Sequence, residues 1–288
     1  RLDVDQGAVL HLTGETVQPN RLDEIAVIGG QLRIDAIHMT TGQGAAPLRI
    51  QDPDDGEAAL VIGSSVDSRI DADIVDGNAA GTLRKVGSGR LTLNGRNTFT
   101  GPLIVEAGEL EVGRDGSFGD GEAIELAAGA ALVARSDVTR AIEGPGRVRA
   151  TGNVLLGDFT DNRGFDVGRI DVSFRDVVLL DRDRARLYDG VSTIDGGRLR
   201  TTAGLLIDQN AELSGHGTID GELVNRGVVE GAGAGLVLNG PVSGAGDWLG
   251  TIVFNGLFEP GNSPAQLRMG SPDFRQWVRM ELAGLTPG

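Results

Sequence analysis

The residues able to do chemistry fall in a few places. Asp52, Asp54 and Asp55 sit together in QDPDDGE, and Asp71, Asp73 and Asp76 follow in DADIVDGN. Oxygen-rich loops of this kind hold Ca2+, but neither run has the spacing of an EF-hand or of the glycine-rich calcium repeat. In an extended chain Asp71 and Asp73 share one side, with Ile70, Ala72 and Ile74 on the other. That is the pattern of a solvated face, and no metal site is expected. The run Asp181-Arg182-Asp183-Arg184, with Tyr188 beyond it, sets carboxylates beside guanidiniums, the equipment of a polysaccharide lyase or hydrolase. Saccharide clefts use exposed aromatic rings, and only Tyr188, Trp248 and Trp277 have polar-edged ones. Residues 181–186 read better as a solvated turn or short helix. His11, His38 and His216 are scattered, whereas metal ligation needs converging imidazoles. His216 reads as a surface residue of a Gly-rich turn. Gly261-Asn262-Ser263-Pro264-Ala265 offers a serine between small residues, but a nucleophile elbow leads into a helix that Pro264 argues against. There is no dinucleotide fingerprint or phosphate loop. The sequence predicts no catalytic residue, no cofactor and no metal.

The elements that would carry these residues are short strands. Glycine supplies 46 of 288 residues and recurs throughout, aromatic residues make up 4%, and Cys is missing. Without Cys there is no disulfide framework and no thiolate metal site. No window holds 18 uninterrupted apolar residues, so no helix is expected to span a membrane. With 26 basic against 41 acidic residues the net charge is −15, a field that repels nucleic acid. Stretches such as Gln31-Leu32-Arg33-Ile34, Arg90-Leu91-Thr92-Leu93, Glu109-Leu110-Glu111-Val112, Val177–Leu180 and Leu205-Leu206-Ile207 alternate or are aliphatic, and Gly, Asn or Asp bounds them. Period-two stretches of this length are strand-and-turn units. Units recurring every ~20–25 residues with an aromatic-poor interior predict an all-β solenoid of roughly a dozen coils. Its glycines are expected to supply positive-φ corners, and its Asn and Thr residues side-chain ladders between coils.

One segment is more specific. Residues 81–112 read GTLRKVGSGRLTLNGRNTFTGPLIVEAGELEV, with Gly81, Leu83, Lys85, Gly87, Gly89, Leu91, Leu93, Gly95, Asn97, Phe99 and Gly101 at alternate positions, then Val105, Ala107, Gly108, Leu110 and Val112. The segment resembles the passenger-associated transport repeat of bacterial autotransporters. Lys85, the sole lysine of the chain, stands at the lysine of that pattern. Residues 116–132 resemble the coil that follows such a repeat. Leu213–Gly221 and Pro260–Pro264 resemble the last coils of such passengers.

The resemblance implies a right-handed parallel β-helix, displayed on or released from a Gram-negative bacterium. It predicts one continuous solenoid over 1–288: divergent N-terminal coils in 1–80, the repeat region in 81–135, divergent coils with a charged loop in 136–210, and C-terminal coils in 211–288. The chain opens Arg1-Leu2-Asp3-Val4 with no apolar leader, as a mature product or an excised piece would. The function expected is non-enzymatic: a stalk, adhesin scaffold or fibre subunit, with a polysaccharide-degrading β-helix enzyme as the alternative. Its partners are expected to be further copies, stacked head to tail, or host and cell-surface glycans or proteins. Trp277, Val278 and Met280 are the residues assigned to such an assembly contact.

Overall fold

The computed structural model describes residues 2–5, 8–17, 25–39, 47–52, 58–63, 65–113, 116–121, 123–157, 164–173, 176–180, 185–261 and 267–279. Among these there is no helix, and strands pair in parallel with the strand one coil away. The fold is a β-solenoid of about 11 turns. The chain forms two compact units, Arg1–Arg147 and Val148–Gly288.

In the first unit the coils lay strands in three rows. One row joins Leu2–Val4, Ile25–Ile28, Leu48–Gln51 and Ile74–Asp76, and no described strand extends it further. A second row begins on Val9–Val17 and Gln31–Met39 and continues through Leu60–Ile62, Leu83–Lys85, Leu103–Val105, Ala123–Leu126 and Ala141–Ala150. A third joins Ser68–Ile70, Arg90–Leu93, Glu109–Val112 and Ala131–Ala134. Parallel in-register stacking places like on like. Leu10, Leu32, Leu60, Leu83, Leu103, Ile124 and Ile142 form one file along the second row, the last six of them fully buried. The period of two in the sequence is therefore the inside–outside alternation of each strand. Adjacent coils are each other's hydrogen-bond partners, so a three-residue strand suffices where an isolated hairpin would not hold.

The second unit repeats the logic with longer strands, among them Gly190–Thr201, Ala211–Asp220, Val228–Leu238 and Asp247–Phe254. Here the filling changes. The file Leu199, Ile219, Leu238 passes into Phe254 and Phe274. Phe254 and Phe274 stack at 4.9 Å, and Trp248 meets Phe258 edge-on at 5.6 Å. Trp248 is 1% exposed, so it packs the interior and cannot serve as a saccharide platform. The aromatic-poor interior expected from composition gives way at these coils, where four of the few aromatic residues are concentrated. A second expectation fails at residues 185–186. Ala185–Leu187 is a strand with Ala185 and Leu187 buried, not part of a solvated turn. Its Ala-x-Leu alternation outweighs the charge of Arg186, which simply points outward.

Candidate functional site

The coil encoded by residues 81–112 is built from groups that spend their polarity on neighbouring coils. Lys85 stands in an interior file between Ile62 and Val105 and is fully buried. Its Nζ donates to the carbonyl oxygens of Gly87, in its own turn, and of Ala107 on the next coil, the latter at 3.1 Å. The ammonium thus satisfies two corner carbonyls that no strand reaches. Burial lowers its pKa from 10.5 to about 8, because desolvation penalises the charged form. The unfolded chain keeps this proton up to 10.5 while the folded chain gives it up near 8. Between those values the unfolded state binds more protons, and stability rises with pH. The window is worth at most ~3 kcal/mol, less whatever the two carbonyls return to the ammonium. Lys85→Met is expected to flatten this alkaline rise when urea midpoints are compared from pH 8 to 10.5. Parallel profiles in the two proteins would remove Lys85 as its cause.

Asn97 is 2% exposed and occupies the place where the first strand row stops. Its Oδ1 accepts from the Ile74 amide at 2.9 Å, and its Nδ2 donates to the Ser117 carbonyl at 2.6 Å. Ser117 Oγ returns a bond to the Asn97 carbonyl at 2.6 Å. One side chain therefore links three successive coils. Phe99 is fully buried beside it. Leu91 and Leu93 are buried in the third row, in register with Leu110 and Val112.

Among the described residues 18 glycines have a positive φ, as corner residues were expected to, but those of the repeat mostly do not. Only Gly108 of the singled-out set has a positive φ, at 71°. Gly81, Gly89, Gly95 and Gly101 have ordinary φ but no room for a side chain. A Cβ on Gly95 would lie 2.5 Å from the Ala72 carbonyl carbon and nearer still to its oxygen. What the repeat requires there is contact between backbones of adjacent coils. Gly87 contributes its carbonyl to Lys85.

A second corner is satisfied by a residue that carries no motif signature. Arg140 is 2% exposed, and its guanidinium donates to the carbonyls of Phe118, Gly101 and Ala123, each at 2.8 Å. It lies 5.5 Å from the centre of the Phe99 ring. Desolvation lowers its pKa to about 10, with Asp120 acting in the opposite sense. The signal was parity: Val138, Arg140 and Ile142 alternate on one side, and the flanking pair is buried.

The aspartates singled out by sequence are taken up within the solenoid as well. Asp71 and Asp73 point to solvent while Ile70, Ala72 and Ile74 are buried, the alternation the sequence predicts. Asp71 accepts from Asn94 Nδ2 at 2.5 Å and Asp73 from the Arg96 amide at 2.7 Å. Asp52 and Asp76 form one device twice. Each carboxylate takes the amide and hydroxyl of a threonine on the following coil, Thr82 at 2.6 and 2.5 Å and Thr100 at 2.9 and 2.6 Å. Asp54 and Asp55 lie outside the described residues. Among the described residues no three His, Asp or Glu side chains converge as metal ligands would. His216 Nε2 stands 3.7 Å from Asp195, and His11 is exposed on its strand. The side chain of His38 lies outside the described set, as do residues 262–265 of the Gly261–Ala265 turn.

Of the proposed saccharide cleft, residues 181–184 are outside the described residues. Tyr188 is half-buried with Arg186 5.3 Å from its ring centre. Arg186 bridges Asp208 at 2.5 Å and Asp166 at 3.5 Å, on the coils to either side. That ion pair holds the Asp208 carboxyl below its usual range. Of the assigned assembly residues, Trp277 is 82% exposed and Val278 is half-buried, bridging Phe258. Met280 falls outside the described residues.

Residues 83–112 match the family model of the passenger-associated-transport-repeat. The match ends at Val112, so 113–135 and 211–288 are not covered by it. No curated protein and no solved structure matches the chain. A repeat of that family set within stacked parallel coils is what the geometry and the comparison jointly establish: the chain is a β-solenoid that carries a passenger-associated-transport-repeat in residues 83–112.

Proposed function

We propose that the chain is the non-enzymatic shaft of an autotransporter passenger, carried to the exterior of a Gram-negative bacterium and serving there as an adhesin scaffold. The observation that carries the reading is the use of polar groups in residues 81–112. Lys85 and Asn97 are buried and bonded to adjacent coils, as in a load-bearing corner. Tyr188, the one described member of the alternative saccharide-cleaving site, lies against Arg186, which joins Asp166 and Asp208 in an inter-coil ladder, and this favours the scaffold. Fused ahead of an outer-membrane translocation barrel, the chain is expected to become digestible by protease added to intact cells. Retention inside the envelope would overturn the passenger reading. Release of new reducing ends from acidic polysaccharide by the purified chain would overturn the non-enzymatic one.

A further inference from the structure

We infer that Trp277, flanked by Arg275 and Arg279, is a stacking platform for a uronate-bearing glycan; the inference rests on the adhesin reading above. Burial is the default for so large an apolar ring, and the only other tryptophan, Trp248, is 1% exposed. Trp277 is 82% exposed, yet its backbone is fixed on both sides. The Phe258 amide donates to the Trp277 carbonyl at 3.1 Å, the Arg279 amide to the Phe258 carbonyl at 2.9 Å, and the Arg275 amide to the Phe254 carbonyl at 2.9 Å. The main chain that carries the indole is therefore fixed, and binding has only the side chain left to order.

Charge selects the partner. In a chain of net charge −15, residues 267–279 carry Arg268, Arg275 and Arg279 against Asp273, while Asp247 and Glu259 stand 3.6 Å from Arg268 and 2.7 Å from Arg279. Around the Phe258–Val278 bridge the chain is extended, so Trp277 and Arg279 leave it on the same side. Arg279 is oriented by Glu259 at 2.7 Å and Arg275 by Asp273 at 3.0 Å, with the two side chains 73% and 59% exposed. A guanidinium has five N–H donors, so one carboxylate contact does not exhaust it. A pyranose presents a C–H face to an indole and, in a uronate, a carboxylate at the ring edge, which an Arg fork binds bidentately. The overall negative field disfavours densely charged polyanions and suits isolated carboxylates.

The test uses the purified chain and a neutral oligosaccharide bearing a single galacturonate, with its methyl ester as comparison. The free acid is expected to shield the exposed indole from acrylamide quenching, the ester to bind about tenfold more weakly, and Arg279→Gln to erase that difference. Trp277→Ala should abolish binding measured by calorimetry with thermal unfolding unchanged, and Trp277→Phe should restore part of it. Equal binding of acid and ester, no binding, or binding that survives Trp277→Ala would overturn the inference. So would shielding that grows with protein concentration without sugar, which would make a second copy the occupant. Surface display is assayed separately on intact cells, so a failed passenger reading and a failed glycan site give different results.

Discussion

Gly95→Ala is expected to destabilise the first unit by about 3 kcal/mol or more, the upper range for overpacking, because the obstructing atoms are backbone. The new methyl would meet the carbonyl of Ala72 on the preceding coil, with the Asp73 amide nitrogen 2.8 Å away. Neither can turn aside as a side chain would. Relief requires the two coils to separate, which strains the hydrogen bond from the Asn94 amide to the Ile70 carbonyl, 2.8 Å long, and the register of Leu91 and Leu93 on Ser68 and Ile70. For a unit of this size the loss corresponds to a melting temperature lower by about 10 °C. Two other glycines separate the causes. Gly129 has a φ of 86° and open space around it, so alanine there is charged only for its conformation, about 1–2 kcal/mol. Gly164 has open space and no positive φ, and alanine there is expected to be neutral or slightly stabilising. The order Gly95, Gly129, Gly164 in urea denaturation would support close approach as the cause. Equal costs at Gly95 and Gly129 would reduce the repeat's glycines to corner formers after all.

That distinction also marks how much of the fold could be read in advance. Leu91, Leu93, Leu110 and Val112 were legible as an interior face because a strand alternates strictly, and the solenoid stacks that alternation without changing it. Lys85 could be placed by the repeat pattern, though not what it does. Only the structure puts the Ala107 carbonyl, 22 positions away, against its amine. The same holds for the aspartates. Their outward direction follows from parity, whereas their acceptor role depends on which residue lies one coil later, and coil length varies. Asp52 meets Thr82 thirty positions on, Asp76 meets Thr100 after twenty-four. No fixed spacing reveals a device whose loop lengths differ. The aromatic packing of Trp248, Phe254, Phe258 and Phe274 was hidden for a related reason: a low overall aromatic content says nothing of where the rings gather.

The two buried cations follow one rule. Where a strand row ends, the corner still exposes main-chain carbonyls to a dry interior, and each must find a donor. Lys85 supplies one at the 87–107 corner and Arg140 at the 101–123 corner. Both have depressed pKa values because no carboxylate bonds to them, so desolvation is the leading influence. The corners are thereby satisfied without a buried ion pair, whose two desolvation costs often exceed the attraction gained.

Asn97→Ala is expected to cost about 3–4 kcal/mol, since it strands the Ile74 amide and the Ser117 carbonyl in the interior at about 1–3 kcal/mol each. Asn97 stands where the next strand of the first row would be, and its amide group imitates that strand. Oδ1 plays the carbonyl for Ile74, and Nδ2 plays the amide for Ser117. Asn97→Asp divides the two roles. The carboxylate still accepts from Ile74, but it faces the Ser117 carbonyl with no proton to offer. Acidification should partly rescue this variant, because a protonated carboxyl donates where the amide did. Ser117→Ala removes only the bond to the Asn97 main-chain carbonyl, 2.6 Å long, and should cost about 1 kcal/mol. Hydrogen exchange at the Ile74 amide distinguishes these outcomes. Protection should be lost in Asn97→Ala, kept in Asn97→Asp and unchanged in Ser117→Ala. If Ile74 stays protected in Asn97→Ala, the first row does not rely on this side chain to close its last coil, and Asn97 is held at that position by shape alone.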